Sequence, residues 1–335
     1  MPESRRCVAV AIALAVTFPA VLTAQQAEGT YHLAGGNYAV FNLAGRVSFE
    51  AGSGPSLAVE VHPQGADAAR LRVVTGDIRG QSTLRVLYPD GDIVYPAMES
   101  GGDTQIQVRE DGTFGDGGGQ DHEVRIRNSG SGTQASADVR LLLPAGSSLD
   151  LHLGAGAVTV RNVEGNLSVD VSVASVDADG VTGNFSLDAG SAPVKLARVR
   201  GKEISLDTGS GSIVASNISA THLSLDSGSG AASFDGLAVD EVSLDTGSGA
   251  VTLALDTDVE ELSLDSGSGD VTIYAPTTLG AQLAVDGGSG KIDVQLPLTD
   301  RHDDEDGNSL SGTLGDGKGT ITIDSGSGDV RILPR

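Results

Sequence analysis

Ser205-Leu206-Asp207-Thr208-Gly209-Ser210-Gly211 decides how this chain folds, because the same phrase keeps returning. Copies stand at Asp226-Ser-Gly-Ser-Gly, Asp245-Thr-Gly-Ser-Gly, Asp265-Ser-Gly-Ser-Gly, Asp286-Gly-Gly-Ser-Gly and Asp324-Ser-Gly-Ser-Gly, with looser copies at His152, Asp170 and Asp188. With the Asp as position zero, the intervals are 18, 18, 19, 19, 19, 20, 21 and 38 residues. A fixed period near 20 marks stacked repeats, in which no single unit buries its own apolar face. The last interval is two periods, so one copy is expected to be missing or overwritten between Asp286 and Asp324.

Four positions per unit are apolar. At −3 and −1 stand pairs such as Leu149/Leu151, Ile204/Leu206 and Ile321/Ile323; at +6 and +8 stand Val158/Val160, Ile213/Ala215 and Val330/Ile332. A spacing of two within each pair gives two short strands with alternate side chains inward. Val163, Val181, Val199, Ile218 and Leu237 recur in the return segment and suggest a third, looser wall. The Asp-Thr/Ser-Gly-Ser-Gly between the strands reads as a corner, with glycine supplying positive φ and Asp accepting backbone N–H bonds. A meander would leave the apolar residues on one uncovered face, whereas a coil buries them against each other. The expected fold is therefore all-β: a parallel β-helix of 18–21 residues per turn.

The phrase from Val139-Arg-Leu-Leu-Leu-Pro to Gly154-Ala-Gly-Ala-Val-Thr-Val160, followed by iterated Ser-Leu-Asp-Thr-Gly-Ser-Gly-Ala-Val-Thr-Leu, resembles the bacterial β-strand-repeat "putative adhesin" family. That family is a domain of unknown function related to the head domain of auto-transporter adhesins. The resemblance covers 139–335 closely and the earlier part loosely. It implies a right-handed single-stranded β-helix in an exported bacterial protein and brings no catalytic residues.

Residues 1–24 read as a secretory signal peptide. Arg5 and Arg6 precede the apolar run Val8–Leu22, and Leu22-Thr23-Ala24 fits a cleavage site. The run is short for a membrane span. Cys7, the one cysteine, lies before the run, so no disulfide is expected in the mature chain. Without residues 1–24, which hold Arg5, Arg6 and Glu3, the formal net charge moves from −24 to −25. That acidity argues against nucleic acid or an anionic membrane surface as partner. With 47 glycines and 3% aromatics, the composition suits a solvated exported β protein.

Residues 25–138 are less regular. Phe41–Phe49, Leu57–Val61, Leu71–Val74, Thr83–Tyr88 and Gln105–Arg109 read as strands separated by turn signals at Pro89-Asp-Gly91 and Glu110-Asp-Gly112. They are expected to form an irregular N-terminal β cap, either first turns of the helix or a small sandwich, because an open helix end exposes unpaired backbone. The three segments are thus 1–24, 25–138 and the repeat 139–335, with an acidic loop at 299–319. Within that loop Asp304, Asp306 and Asn308 are candidate Ca²⁺ ligands, although the EF-hand pattern is not met: with Gly307 sixth, His302 stands first.

Asp-Thr-Gly-Ser at 207–210 and 245–248 matches the aspartic-protease motif, but here it recurs at a structural period, whereas the proteases need two carboxylates sharing a proton. The stacked Asp column requires either turn N–H groups or bridging cations to hold it. The basic run Lys195, Arg198, Arg200, Lys202 is a candidate contact for an acidic glycan. The six histidines have no metal-ligand spacing and are expected at the surface. Asn166, Asn184 and Asn217 match glycosylation sequons and are read as turn markers. Position +7 is too irregular for an ice-binding threonine array. The reading is a non-enzymatic exported β-helix with no required cofactor. It would act as an adhesin-like or cell-envelope scaffold or binding module whose partner is an envelope or extracellular protein or glycan, in the periplasm, at the cell surface or outside. The alternative is a carbohydrate-binding or carbohydrate-active β-helix.

Overall fold

The computed structural model describes residues 25–98, 103–115 and 121–335. The expected signal peptide lies outside these residues. The repeat closes into a coil of parallel strands, each turn pairing with the next one period on. Asp170 pairs with Asp188, Asp188 with Asp207, Asp207 with Asp226, Asp226 with Asp245, and Asp245 with Asp265. Among the described residues the only helical element is the short 3₁₀ turn Ala68–Arg70. Every residue of the −3 and −1 columns is buried, as are those at +6 and +8 except Ile292 and Val294 in one end turn. Val163, Val181, Val199, Ile218 and Leu237 are buried too, which makes the return segment a true third wall. Strands run straight through corners: Ile213–Ser227 and Ala232–Thr246 each carry a second wall, a third wall and the first wall of the following turn.

The corner between walls two and three uses a left-handed residue at +10. Asn162, Gly180, Arg198, Asn217 and Gly236 all have φ between 50° and 77°. Asn and Gly tolerate that region at low cost, which explains their use there.

The Asp-Thr/Ser-Gly-Ser-Gly corner works differently from the sequence expectation. Its glycines at +2 and +4 are not among the positive-φ residues, save Gly288 in the Asp286 copy at φ 52°. They are required by close stacking: a Cβ on Gly230, Gly249, Gly269 or Gly328 would stand 2.0 Å from the carbonyl oxygen of the glycine one turn away. The Asp side chains point outward, and among the described residues only Asp286 of this column accepts a turn N–H, from Gly288 at 3.0 Å. The residue after each Asp does the holding. Thr208, Ser227, Thr246, Ser266 and Ser325 are buried, and each hydroxyl donates to the glycine carbonyl three residues on, at 2.9–3.2 Å.

The N-terminal region contributes further turns, the first of the two options above. Asn37–Gly52 pairs in parallel with Ser147–Thr182, placing Tyr38, Val40, Val47 and Phe49 over Leu149, Leu151, Val158 and Val160. Gln81–Leu87 and Ser136–Pro144 stack on Asn37–Gly52 in parallel. Their far edges are closed by antiparallel strands, Arg72–Ile78 and Leu57–Gln64, and Gly29–Leu33 pairs with the latter. Between them, Ile93–Val94, Thr104–Arg109 and Asp121–Arg127 form a small separate sheet. It packs its own apolar cluster on the outside of the coil against Phe41, Leu43 and Ala155.

At the other end two expectations are corrected. No turn is missing between Asp286 and Asp324. The two pair directly, and Asp324 also pairs with Asp265, so the last repeat in sequence lies between two earlier ones. The intervening residues form a hairpin, Leu298–Asp303 with Ser309–Leu314, where a loop was expected, and Ser309–Leu314 caps Ala281–Asp286 in antiparallel fashion. The outermost strand carries Asp300, Arg301, His302 and Asp303, all exposed. Charges on an edge strand discourage pairing with other chains, which gives the acidic run a structural role.

Candidate functional site: the long polar face

Alternation on the first wall sends −3 and −1 inward and leaves −4, −2 and 0 outward. Stacking in register turns these three positions into columns. The middle one is mostly hydroxyl: Ser168, Ser186, Ser205, Ser224, Ser243 and Ser263, then Thr322. On one flank stand Glu203, His222, Glu241 and Glu261, with His222 Nδ1 2.8 Å from Glu241 Oε2. On the other flank runs the Asp column. At about 4.8 Å per turn, its eight members from Asp170 to Asp286 span roughly 34 Å.

Depressions follow this face. One of about 400 Å³ is lined by Asp150, Ser168, Ser186 and Ser205 among others; a second, also about 400 Å³, lies between Glu203, Ser224, Glu241 and Glu261. A third of about 410 Å³ sits between Asp286, Asp324 and the hairpin residues His302, Asp303 and Asp304. Elsewhere acids find cations, as Arg140 does with Glu50 and Arg161 with Asp177, at 2.7 and 2.9 Å. In the Asp column, among the described residues, contact with a basic side chain is confined to its first member, Asp170, which meets the His152 ring. Burial, then the Asp170 and Asp207 carboxylates on either side, push the Asp188 carboxyl above its ordinary value.

The column ends in a different chemistry. Position zero is taken by His152, Phe41 and Arg85 in successive turns. The His152 ring stacks on Phe41 at 4.4 Å and puts Nδ1 2.9 Å from Asp170 Oδ2. Phe114, from the small sheet's hairpin, sits edge-on to both rings. His152 is therefore largely buried, against the expectation of a surface position; the other five histidines are exposed. The sequence signal for this turn was available: Tyr38, Val40, Val47 and Phe49 keep the −3, −1, +6, +8 pattern, but a long insertion separates them from the next copy.

Asp207 and Asp245 are two turns apart with Asp226 between them, so they do not form a shared-proton dyad. Asp304 Oδ1 accepts the N–H groups of Asn308 and Ser309 at 2.7 and 3.0 Å, which shapes the hairpin turn. Asp306 and Asn308 are exposed on that turn. Among the described residues no three His, Asp or Glu side chains form a metal-binding group. The basic run is spread around the coil. Arg198 pairs with Asp179 at 2.7 Å, and the depression of about 340 Å³ that it lines with Arg200 contains one carboxylate, Glu164. Asn217 does mark a turn, at φ 55°. Asn166 and Asn184 instead bridge turns, Asn166 Oδ1 accepting from the Asn184 N–H at 3.0 Å.

Fold and face together define a β-solenoid whose repeat presents one polar surface over many turns. The Toastrack DUF4097 family matches residues 84–333, and the chain belongs to that family, a domain of unknown function. The match begins well before the repeat and takes in cap strands and the small sheet. No curated protein matches the chain significantly. A crystal structure of a "putative cell adhesion protein" from Clostridium sporogenes is similar at 11% identity, covering 89% of this chain and 90% of that one, with a TM-score of 0.20.

Proposed function

We propose that this protein is a non-enzymatic, adhesin-like binding module or scaffold of the cell envelope. The observation that carries the reading is the repetition of one outward pattern, a hydroxyl beside an Asp carboxylate with a second polar side chain (Glu203, His222, Glu241, Glu261) on its other flank, along successive turns of the first wall. A surface that offers the same groups every turn suits an extended or repetitive partner, because many weak contacts act together. Its partner is an envelope or extracellular protein or glycan. Export rests on the leader read at residues 1–24, which places the protein in the periplasm, at the cell surface or outside. No helix of the described residues is long and apolar enough to cross a membrane.

The test is a binding screen of residues 25–335 against glycans, peptidoglycan and envelope proteins, with and without Ca²⁺, with product analysis on every hit. Binding without turnover is expected, and it should weaken when Ser205, Ser224 and Ser243 are replaced by Arg. Turnover of any bound glycan would overturn the reading, and so would binding indifferent to those replacements.

A further inference from the structure

The order of turns in space departs from the order in sequence at one place. Residues 319–335 occupy a slot between the turn at 261–275 and the turn at 281–294. Gly319–Ser325 pairs in parallel with Glu261–Ser266 on one edge and Ala281–Asp286 on the other; Val330–Pro334 lies likewise between Val271–Ala275 and Ile292–Val294. Ile321, Ile323, Val330 and Ile332 are buried in the core. Arg335 fastens the segment across neighbouring turns, bonding Asp235 at 3.0 Å, the Ala254 carbonyl at 3.2 Å and Asp256.

The same residues encode a second stacking. Asp286 follows Asp265 by 21 residues, one period. Leu283, Val285, Ile292 and Val294 present the inward pattern of Ile321, Ile323, Val330 and Ile332, so the turn at 281–294 matches the level that 319–335 fills. The 319–335 segment joins its hairpin through Gly315–Lys318, where Gly315 and Gly317 take φ 51° and 66°. The contacts within the slot are identical whichever molecule supplies the segment, so only the linker and the concentration separate the two cases.

The slot is selective. A Cβ on Gly326 or Gly328 would stand 2.4 or 2.0 Å from the Gly267 or Gly269 carbonyl oxygen, and a Cβ on Gly290 would stand 2.0 Å from the Gly328 carbonyl oxygen on the other side. Ser325 must donate to the Gly328 carbonyl at 2.9 Å. An occupant therefore needs Ser-Gly-x-Gly in this register between two Ile/Val pairs, which residues 319–335 supply.

We propose that residues 319–335 are an exchangeable strand pair, and that the slot accepts the same segment from a second copy of this chain, linking copies segment into slot. Ala284 and Thr322 face each other on the parallel pair and both are exposed, so cysteines there report who fills the slot. In the full chain carrying Cys7→Ser, the double variant A284C/T322C should close a disulfide within one molecule when refolded dilute. Chains carrying only A284C and chains carrying only T322C, refolded together at high concentration, should form mixed-site disulfide dimers. These should exceed the statistical share set by same-site dimers, and the excess should fall as the refolding mixture is diluted. Intramolecular closure with no excess of mixed-site dimers at any concentration overturns the proposal. Failure of the double variant to close overturns it as well, because the slot would then be wrongly assigned.

Discussion

Gly249→Ala tests the stacking argument at its tightest point. The added Cβ would lie 2.0 Å from the Gly230 oxygen and 2.7 Å from the Gly230 carbonyl carbon. Backbone rather than a flexible side chain is in the way, so the corner must open by about an ångström within turns spaced about 4.8 Å apart. Opening puts three hydrogen bonds at risk: Thr246 hydroxyl to Gly249 oxygen at 2.9 Å, Gly247 N–H to Ser227 oxygen at 2.9 Å and Ser248 N–H to Gly228 oxygen at 3.0 Å. At about 1 kcal/mol each, plus about 1–3 kcal/mol for overpacking, the loss comes to about 4–6 kcal/mol. Ser248→Ala, at an exposed neighbour, should stay within about 0.5 kcal/mol of the parent. Urea unfolding gives the comparison. Amide exchange adds the location, because solenoid turns couple mainly to their neighbours and the damage should centre on the turns holding Asp226, Asp245 and Asp265. Equal stability of the two variants would refute the claim that the glycines are there for want of space.

Thr246→Val should cost about 1–3 kcal/mol by leaving the Gly249 carbonyl without its hydroxyl donor, whereas Thr246→Ser should behave as the parent because Ser266 already does the same work one turn on. Asp188→Asn should raise the melting temperature at neutral pH. The folded pKa of Asp188 is raised, so the native state holds its proton more tightly than the unfolded chain does; the carboxyl's contribution falls as pH rises from the ordinary Asp value of 3.8 through the folded value and is constant above it. Burial, and then the two neighbouring carboxylates at about 4.8 Å screened by salt, put the gain on the order of 1 kcal/mol, and the advantage should disappear at a pH below 3.8. Arg335→Ala should cost about 0.5–1 kcal/mol and speed amide exchange at residues 330–333, since the guanidinium is partly exposed but bridges Asp235 and Asp256.

What the sequence disclosed is what repetition can disclose. The period, the four inward columns, the third wall and the parallel coil follow from side-chain alternation, which fixes register once one face must be buried. Three things escaped for identifiable reasons. Tyr38–Phe49 obeys the repeat pattern, but 83–136 and the hairpin before it intervene, so interval counting cannot join it to His152. The hydroxyl after each Asp looked like part of a turn signal, although its position, two residues beyond a buried one, already sends it inward. Here the polar group needed inside was the short one that reaches a carbonyl three residues on, and the charged neighbour was left to solvent.

The third miss has another cause. An interval of 38 residues is equally a skipped copy or an excursion, and spacing along the chain carries no information about the order of levels in space. Edge chemistry supplies it. Had 281–294 stacked directly on 261–275, the Ile-rich 319–335 would have had to close the coil, presenting an unpaired parallel edge beside four large apolar side chains. Threading it inward pairs both of its edges and places the less fully buried turn, with Ile292 and Val294, outside it. The charged strand Leu298–Asp303 then becomes the outer edge. That arrangement hides the most strand-prone segment and exposes the least, which is the order a soluble end to a β-helix requires.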